Sequence, residues 1–442
     1  MESLSGKDNP KQASIRQIAF ASSIGTAIEY YDFFLYGTAA ATVFPKLFFP
    51  KFSSVGGTLA SFATFGVAYV ARPIGGVVFG HFGDRVGRKS MLMITLVLMG
   101  GATFLIGVLP TFEQVGVLGP ILLAVLRFLQ GFALGGEWGG ATLMAVEHAP
   151  DKGRNFYASW PQIGSPAGGI LSTAAFAVFS SLPDAQFFAW GWRVPFLLSI
   201  ILIGVGIFIR LRVPESPVFS QVKERGAESK LPLIEVLRCY PAAAVLAIGA
   251  ALVNICGFNI VITFTLSYIT EQLGVGRNVG LIGFMIANAA GILSIVTFAR
   301  IADRVGKRRV AMWSAACTFL LSYPFFWLVD TRNPVLIGLA MSVWIFAVDG
   351  LWSVMGVFVA ELFPARVRYS GVSLGYNMVG ILGGAPAPII ATSLIRWTGG
   401  ASWPVATYLA ANSLISLIAV YLASEKYKVE IHDQRTADHR LT

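Results

Sequence analysis

Long, nearly uncharged apolar runs of about 20 residues follow one another along the whole chain, broken only by short polar segments. Water cannot satisfy such a pattern. The 442 residues are 55% hydrophobic and 13% charged, against the roughly 25% charged of a soluble chain, and a single globular core stops growing at around 250–300 residues. A bilayer is the natural solvent, and only helices and closed barrels can cross one. The runs are continuous rather than alternating, so the expected fold class is an all-α polytopic membrane protein. Twelve spans are predicted, near 18–44, 55–80, 91–110, 117–147, 155–179, 193–211, 241–270, 280–299, 310–329, 335–361, 369–395 and 403–423. The longest polar interruption, 212–240, holds Pro214-Glu-Ser-Pro217 and Lys223-Glu-Arg225. It divides the chain into a tail (1–17), a six-helix bundle (18–211), a linker (212–240), a second six-helix bundle (241–424) and a tail (425–442).

The formal charge of +10 invites a nucleic-acid reading, which its distribution opposes. With both termini placed in the cytoplasm, 25 Lys and Arg fall on the inner side and 6 on the outer, with Arg72 and Arg127 inside spans. That is the positive-inside bias of a multi-pass protein of the cell (inner) membrane. The basic charge therefore reports topology, and the bilayer is the expected partner rather than nucleic acid. The polar first 17 residues, followed by Glu29 and Asp32 in span 1, argue against a cleaved signal peptide. Cys239, Cys256 and Cys317 are isolated, with no metal-ligand spacing. Gly83-Asp-Arg-Val-Gly87-Arg-Lys-Ser90 carries Arg where a phosphate-cradling loop needs Lys, so no ATP use is expected. No metal, no cofactor and no enzymatic nucleophile–base constellation is expected.

Gly80-His-Phe-Gly-Asp84-Arg85-Val-Gly87-Arg88-Lys89 is echoed by Ala302-Asp303-Arg304-Val-Gly306-Lys307-Arg308-Arg309 in the other half. Glu147-His-Ala-Pro150-Asp-Lys-Gly-Arg154 and Glu361-Leu-Phe-Pro364-Ala-Arg-Val-Arg368 form a second echo, 63 residues after Asp84 and 58 after Asp303. Two motifs in one order at similar spacing indicate duplication. Parallel six-helix halves with a ligand site between them near the midplane are one established plan for transporters.

The first motif resembles the loop 2–3 signature of the major facilitator superfamily, and Arg127-x-x-Gln130-Gly131 resembles its second motif. Tyr30-Tyr-Asp32-Phe, Ala71-Arg-Pro-Ile-Gly-Gly, Gly135-Gly-Glu-Trp-Gly-Gly140 and Trp190-Gly-Trp-Arg-Val-Pro195 resemble the metabolite:proton symporter family, which includes shikimate, α-ketoglutarate, citrate and proline/betaine permeases. The resemblance implies the major facilitator fold, two pseudo-symmetric six-helix bundles, with transport driven by the proton gradient. It also implies that Asp84 meets the start of span 11 and Asp303 the start of span 5. Around these contacts a cytoplasmic gate would include Gly80, Asp84, Arg85, Gly87, Arg88, Glu147 and Arg154, mirrored by Asp303, Arg304, Glu361 and Arg368. The alternative is that the basic residues serve topology alone. Gly164-Ser-Pro166-Ala-Gly-Gly169 is an imperfect antiporter motif, which argues against drug efflux.

Ionisable residues within spans are costly and mark function. Glu29 and Asp32 share a face of span 1 with Tyr36 one turn on, and Arg127, Gln130 and Glu137 share a sector of span 4. A buried carboxylate facing an arginine forms a proton switch: protonated Asp32 releases Arg127 to bind an anionic group. Glu29 and Glu137 are alternative proton carriers, and a static buried ion pair is the competing reading. Arg72 either binds a substrate carboxylate or extends its charge to the interface. Trp160, Gln162, Asn254, Asn259, Asn288, Asp349, Trp352, Tyr376 and Asn377 could line the cavity or make helix–helix hydrogen bonds. Gly131, Gly135 and Gly139 recur every four residues, as close helix packing requires.

The expected function is proton-coupled import, by a monomer, of a small carboxylated metabolite such as shikimate or a dicarboxylate or keto acid. A proline or betaine importer is the alternative, followed by a proton/drug antiporter; from a different class, a non-transporting membrane sensor remains open.

Overall fold

The computed structural model describes residues 15–86, 88–135, 153–212, 232–364 and 367–438, together with 142, 145, 146 and 149. Its major helices are α1 (Ile15–Thr42), α2 (Ser54–Val86), α3 (Arg88–Val108), α4 (Leu118–Leu134), α5 (Trp160–Ser180), α6 (Ser199–Arg212), α7 (Pro241–Gln272), α8 (Arg277–Val305), α9 (Lys307–Asp330), α10 (Pro334–Ala360), α11 (Ser370–Trp397) and α12 (Trp403–Asp438). Among the described residues nine helices are long and apolar enough to cross a membrane, and α3 and α4 contribute the shorter apolar stretches Met93–Val108 and Leu118–Leu134. With α1, which carries Glu29 and Asp32, the twelve expected spans are in place.

The duplication seen in the motifs recurs in the packing. In the first half α1 packs on α5, α2 on α4, and α3 on both α4 and α6. Six helices later α7 packs on α11, α8 on α10, and α9 on both α10 and α12. The bundles meet where α5 runs along α8 and α2 along α11. Ile282, Ile286 and Leu293, on one face of α8, are exposed on the outer surface, while the interior packs large aromatic side chains such as Trp344, Phe62 and Phe65 among small and polar ones.

Glycine decides how close the helices come. A Cβ on Gly131 would lie 2.1 Å from the Ala68 carbonyl oxygen, and one on Gly135 only 1.8 Å from that of Arg72. α2 and α4 therefore touch backbone to backbone. α5 meets α1 in the same way: a Cβ on Gly164 would stand 2.4 Å from Ser23 O, and one on Gly168 2.3 Å from Ala27 O. Gly139 lies outside the described residues.

Regular α geometry is interrupted where the halves face each other. α7 contains π-helical turns at Val253–Gly257, Ile260–Phe264 and Tyr268–Gln272, and α11 one at Gly380–Gly384. Asn254 and Asn259, five residues apart, would point about 140° away from each other in an α-helix at 3.6 residues per turn; a π turn closes in five residues and returns them toward one side. Outside the spans, the stretch read as a linker includes a short helix, Pro232–Cys239, started by a proline in its first turn. α12 continues past its apolar part to Asp438, through Lys- and Glu-bearing sequence of good helix propensity.

Gly135→Val is expected to prevent the α2–α4 approach and to yield little monodisperse protein on size-exclusion chromatography. Gly204→Val, whose Cβ would meet nothing within 4 Å, is expected to behave as wild type.

Candidate functional site

Because α2 and α4 are in contact, Arg127 of α4 is driven beneath the aromatic side chains of α1 and α2. Its Cζ lies 4.1 Å from the Tyr36 ring centroid, 4.9 Å from that of Phe65 and 5.2 Å from that of Phe33. These ring faces attract the guanidinium. Arg127 Nη1 donates to Gln130 Oε1 at 3.1 Å and Nε to the Phe65 carbonyl at 3.4 Å, while Nη2 has no hydrogen-bond partner. Gln130 in turn donates to Thr103 Oγ1 at 2.7 Å, and the Thr103 hydroxyl spends its own proton on Met99 O. Tyr36 donates to Thr64.

Asp32 of α1 is buried beside the Thr103 hydroxyl and close enough to feel the charges of Arg127 and Glu29, and its carboxylate oxygens make no hydrogen bond of good geometry. The direct Asp32–Arg127 ion pair anticipated from sequence is not formed: the arginine is turned to Gln130 and the rings. Glu29 is buried on the same helix. Glu137 lies outside the described residues.

Between the bundles is a cavity of about 40 Å³, lined from the first half by residues that include Tyr30, Phe33, Tyr69, Arg72 and Ser165, and from the second by Asn254, Asn259, Asp349, Trp352 and Tyr376 among others. A buried water needs roughly 10–15 Å³, so the space admits waters as it stands. Arg72 Cζ lies 4.6 Å from the Tyr69 ring centroid, 5.2 Å from that of Phe33 and 5.8 Å from that of Tyr376, and its Nε is unpartnered. The halves are stitched across this cavity by Tyr30 Oη to Tyr376 Oη at 2.9 Å and by Asn259 Nδ2 donating to Tyr69 Oη at 2.9 Å.

Thus six of the sequence-nominated cavity residues (Arg72, Asn254, Asn259, Asp349, Trp352 and Tyr376) share one wall-to-wall space. Arg127, Tyr36 and Gln130 sit together behind it. Gln162 lies against the position of Gly356, with no partner for either amide atom; Trp160 packs by Phe156, and Asn377 donates to Gly135 O at 3.4 Å. Asn288 of α8 lies against Gly169 of α5.

At the end bearing the repeated motifs, Asp303 at the foot of α8 accepts from Asn155 N at 2.9 Å, Asn155 Nδ2 at 3.0 Å and Phe156 N at 3.2 Å. These donors begin the short helix Arg154–Ala158 that leads into α5, where free N–H groups favour an anion. This is the contact that the resemblance implies for Asp303. Glu361 pairs with Lys307 at 2.5 Å, whereas Arg368 Nε donates to Ala360 O at 2.9 Å and Phe363 O at 3.3 Å, folding back on the end of α10. Arg304 is exposed, and Arg154 Nε is buried without a partner. The side chains of Asp84, Arg85 and Arg88, the surroundings of Gly80, and the whole of Gly87 and Glu147 lie outside the described residues.

At the opposite end a second clasp was not anticipated. Thr58 of α2 donates to Glu271 of α7, with 3.0 and 3.1 Å to the two carboxylate oxygens. Arg277 of α8 binds Asp184 Oδ1 at 2.7 Å, lies 4.2 Å from the Phe187 ring centroid, and its neighbour Asn278 accepts from Ser180. No motif marks these residues, because the outer loops of the two halves do not echo each other.

These features define a membrane transporter with a charge-bearing cavity between two related bundles. The Major Facilitator Superfamily model matches residues 22–388. The shikimate transporter of Escherichia coli K12 is 41% identical over 417 residues, covering 93% of this chain and 95% of that one. The inner membrane metabolite transport protein YhjE of the same organism is 40% identical over 418 residues, covering 93% and 94%. The proline/betaine transporter of E. coli K12 is 30% identical over 415 residues, covering 91% and 82%. A crystal structure of the D-xylose-proton symporter superposes with a TM-score of 0.67 at 19% identity, over 93% of this chain and 98% of that one, and so shares the fold. The chain belongs to the major facilitator superfamily and, with the metabolite transporters named above, is a multi-pass transporter of the inner membrane.

Asp303→Ala leaves the amides of Asn155 and Phe156 without their acceptor. Transport is expected to fall several-fold in proteoliposomes with the amount of inserted protein unchanged; wild-type rates would remove any role of this contact in the cycle.

Proposed function

We propose that the chain imports a small carboxylated metabolite together with protons, by alternating access of the central cavity to the two sides of the inner membrane. Both termini lie in the cytoplasm, the protein works as a monomer, and the proton gradient alone drives it. The observation that carries this reading is the pair of buried charges without a mutual bond: Asp32, whose carboxylate is not joined to Arg127, and Arg127 held by Gln130 and three rings. That arrangement suits the proton-loaded state, in which a neutral Asp32 makes no demand on Arg127. Proton loss toward the cytoplasm leaves a bare carboxylate in a low-dielectric interior, and the nearby guanidinium then gains by turning to it. Pulling Arg127 away from Phe33 disturbs a ring that also flanks Arg72, so the proton state is communicated to the substrate contact through a shared packed side chain.

Arg72 is the substrate-facing cation, with an unpartnered Nε beside the cavity, and a carboxylate is its natural complement. The relative named a shikimate transporter supports that class. An aromatic-walled cavity and the proline/betaine relative favour the second reading, a zwitterion carrying a quaternary or secondary ammonium. Against it, the faces of Tyr69, Phe33 and Tyr376 are already taken by the protein's own guanidinium. Closure during the cycle is assigned to the two clasps: Asp303 with Asn155 and Phe156 on the inner side, and Thr58–Glu271 with Arg277–Asp184 on the outer. Each solvent-exposed pair contributes about 0–1 kcal/mol, enough to set a several-fold bias between states and small enough to break in every cycle.

Asp32→Asn is expected to abolish accumulation against a gradient while preserving exchange of preloaded substrate across the membrane. Full uphill accumulation by this variant in proteoliposomes with an imposed proton gradient would eliminate Asp32 as the carrier.

A further inference from the structure

Arg127 is held by a chain of hydrogen bonds whose polarity is fixed from its far end. The Thr103 hydroxyl of α3 donates to Met99 O at 3.0 Å, so toward Gln130 its oxygen can only accept. That draws Gln130 Nε2 to it, at 2.7 Å, and turns the amide oxygen to the other side. There Oε1 accepts from Arg127 Nη1 at 3.1 Å. Gln130 lies three residues beyond Arg127 on the same face of α4 and is buried, so bulk water does not compete for its amide. The residues that line the central cavity include neither Gln130 nor Thr103. Arg127 Nη2 and both Asp32 oxygens are left without partners in the same structure, so with Nη1 held on Gln130 the guanidinium does not reach the carboxylate.

We infer that Gln130, oriented by Thr103, is a positioning residue of the proton switch: it parks Arg127 away from Asp32 and so sets how readily Asp32 gives up its proton. The inference rests on the reading of Asp32 as the proton carrier. Once Asp32 is ionised, its carboxylate and the Gln130 amide oxygen compete for one guanidinium. Arg127 stabilises the carboxylate fully only by leaving the amide. That departure breaks a buried charge-assisted hydrogen bond and strands the amide oxygen. The bond to Gln130 therefore favours the protonated carboxyl, and a weaker hold on Arg127 releases the proton more readily. The charged and titratable groups facing this pair are Glu29 and Tyr31 of α1 at Asp32, and Tyr36 of α1 with Tyr69 and Arg72 of α2 at Arg127. A change at Gln130 alters none of these, so its effect on the proton is separable from theirs.

The test follows the carboxyl stretching band of protonated Asp32 by infrared difference spectroscopy on the full-length protein in lipid, as pH is raised and without substrate. The band is identified by its loss in Asp32→Asn, and each Gln130 variant is read against its own double variant with Asp32→Asn. Gln130→Met, similar in length but without an amide, is expected to lower the proton affinity by roughly 10- to 100-fold, which moves the midpoint one to two units to lower pH. Gln130→Leu takes its place should that variant be poorly folded. Gln130→Glu, which offers Arg127 a charged acceptor, is expected to move the midpoint to higher pH. A general loosening of the packing would move both variants the same way. A midpoint that stays or rises when the amide is removed overturns the inference, as does one that fails to rise in Gln130→Glu. If wild type shows no Asp32-dependent band at any pH, the proton-carrier reading fails and takes this inference with it; if the band titrates and the Gln130 variants leave it in place, only the positioning role falls.

Discussion

The architecture depends on helix backbones meeting with no side chain between them. Where Gly131 and Gly135 press on Ala68 and Arg72, and Gly164 and Gly168 on Ser23 and Ala27, α2–α4 and α1–α5 become closely coupled pairs. In lipid no hydrophobic effect drives helices together, so close van der Waals contact and shared hydrogen bonds must do so. The same contacts bring long side chains inward. Arg127 has nowhere to extend except beneath Tyr36, Phe65 and Phe33, and Arg72 settles against Tyr69 and Tyr376.

That placement yields an interior in which the charges outnumber the bonds they make. Asp32, Arg127, Arg72 and Asp349 are all buried, and each keeps at least one polar atom unpartnered. In a static scaffold such groups would be a defect, since an unmet buried donor or acceptor costs about 1–3 kcal/mol. In a transporter such groups can wait for cargo, and the proposed function assigns a proton to Asp32 and a carboxylate to Arg72. The polar contacts that are satisfied lie elsewhere, bridging the halves at Tyr30–Tyr376 and Asn259–Tyr69 and at the clasps on both ends.

Much of this was legible without coordinates, because it depends on local sequence. Twelve spans followed from the length and continuity of apolar runs, and the duplication from two echoed motifs. Asp303 was placed against the start of α5 by resemblance, and its carboxylate meets Asn155 and Phe156 there. Arg72, Asn254, Asn259, Trp352 and Tyr376 were nominated for the cavity by one rule, that a polar or amphipathic residue inside a span needs a reason. The same rule nominated Gln162, Trp160 and Asn377, which the fold sends to other contacts, since polarity states a need for a partner and not its direction. The outer clasp carried no signal: Asp184, Arg277, Thr58 and Glu271 are ordinary boundary residues until the bundles bring them together. Nor could spacing show that Asn254 and Asn259 share a side, since that depends on π turns in α7.

The sequence by itself determined the solvent, the number of crossings, their pairing into two halves and the residue types that carry charge into the membrane. These are properties of composition and of order along the chain, which burial in lipid enforces whatever the packing. Only the tertiary structure decided which charges meet. It turned Arg127 to Gln130 rather than to Asp32, left Lys307 rather than Arg368 on Glu361, and set Asp349 across the cavity from the helix that bears Arg72. The reason is geometric: a side chain's partner is chosen by the facing and separation of two helices far apart in sequence. In this chain, backbone contacts at single glycines and the extra residue of a π turn set both.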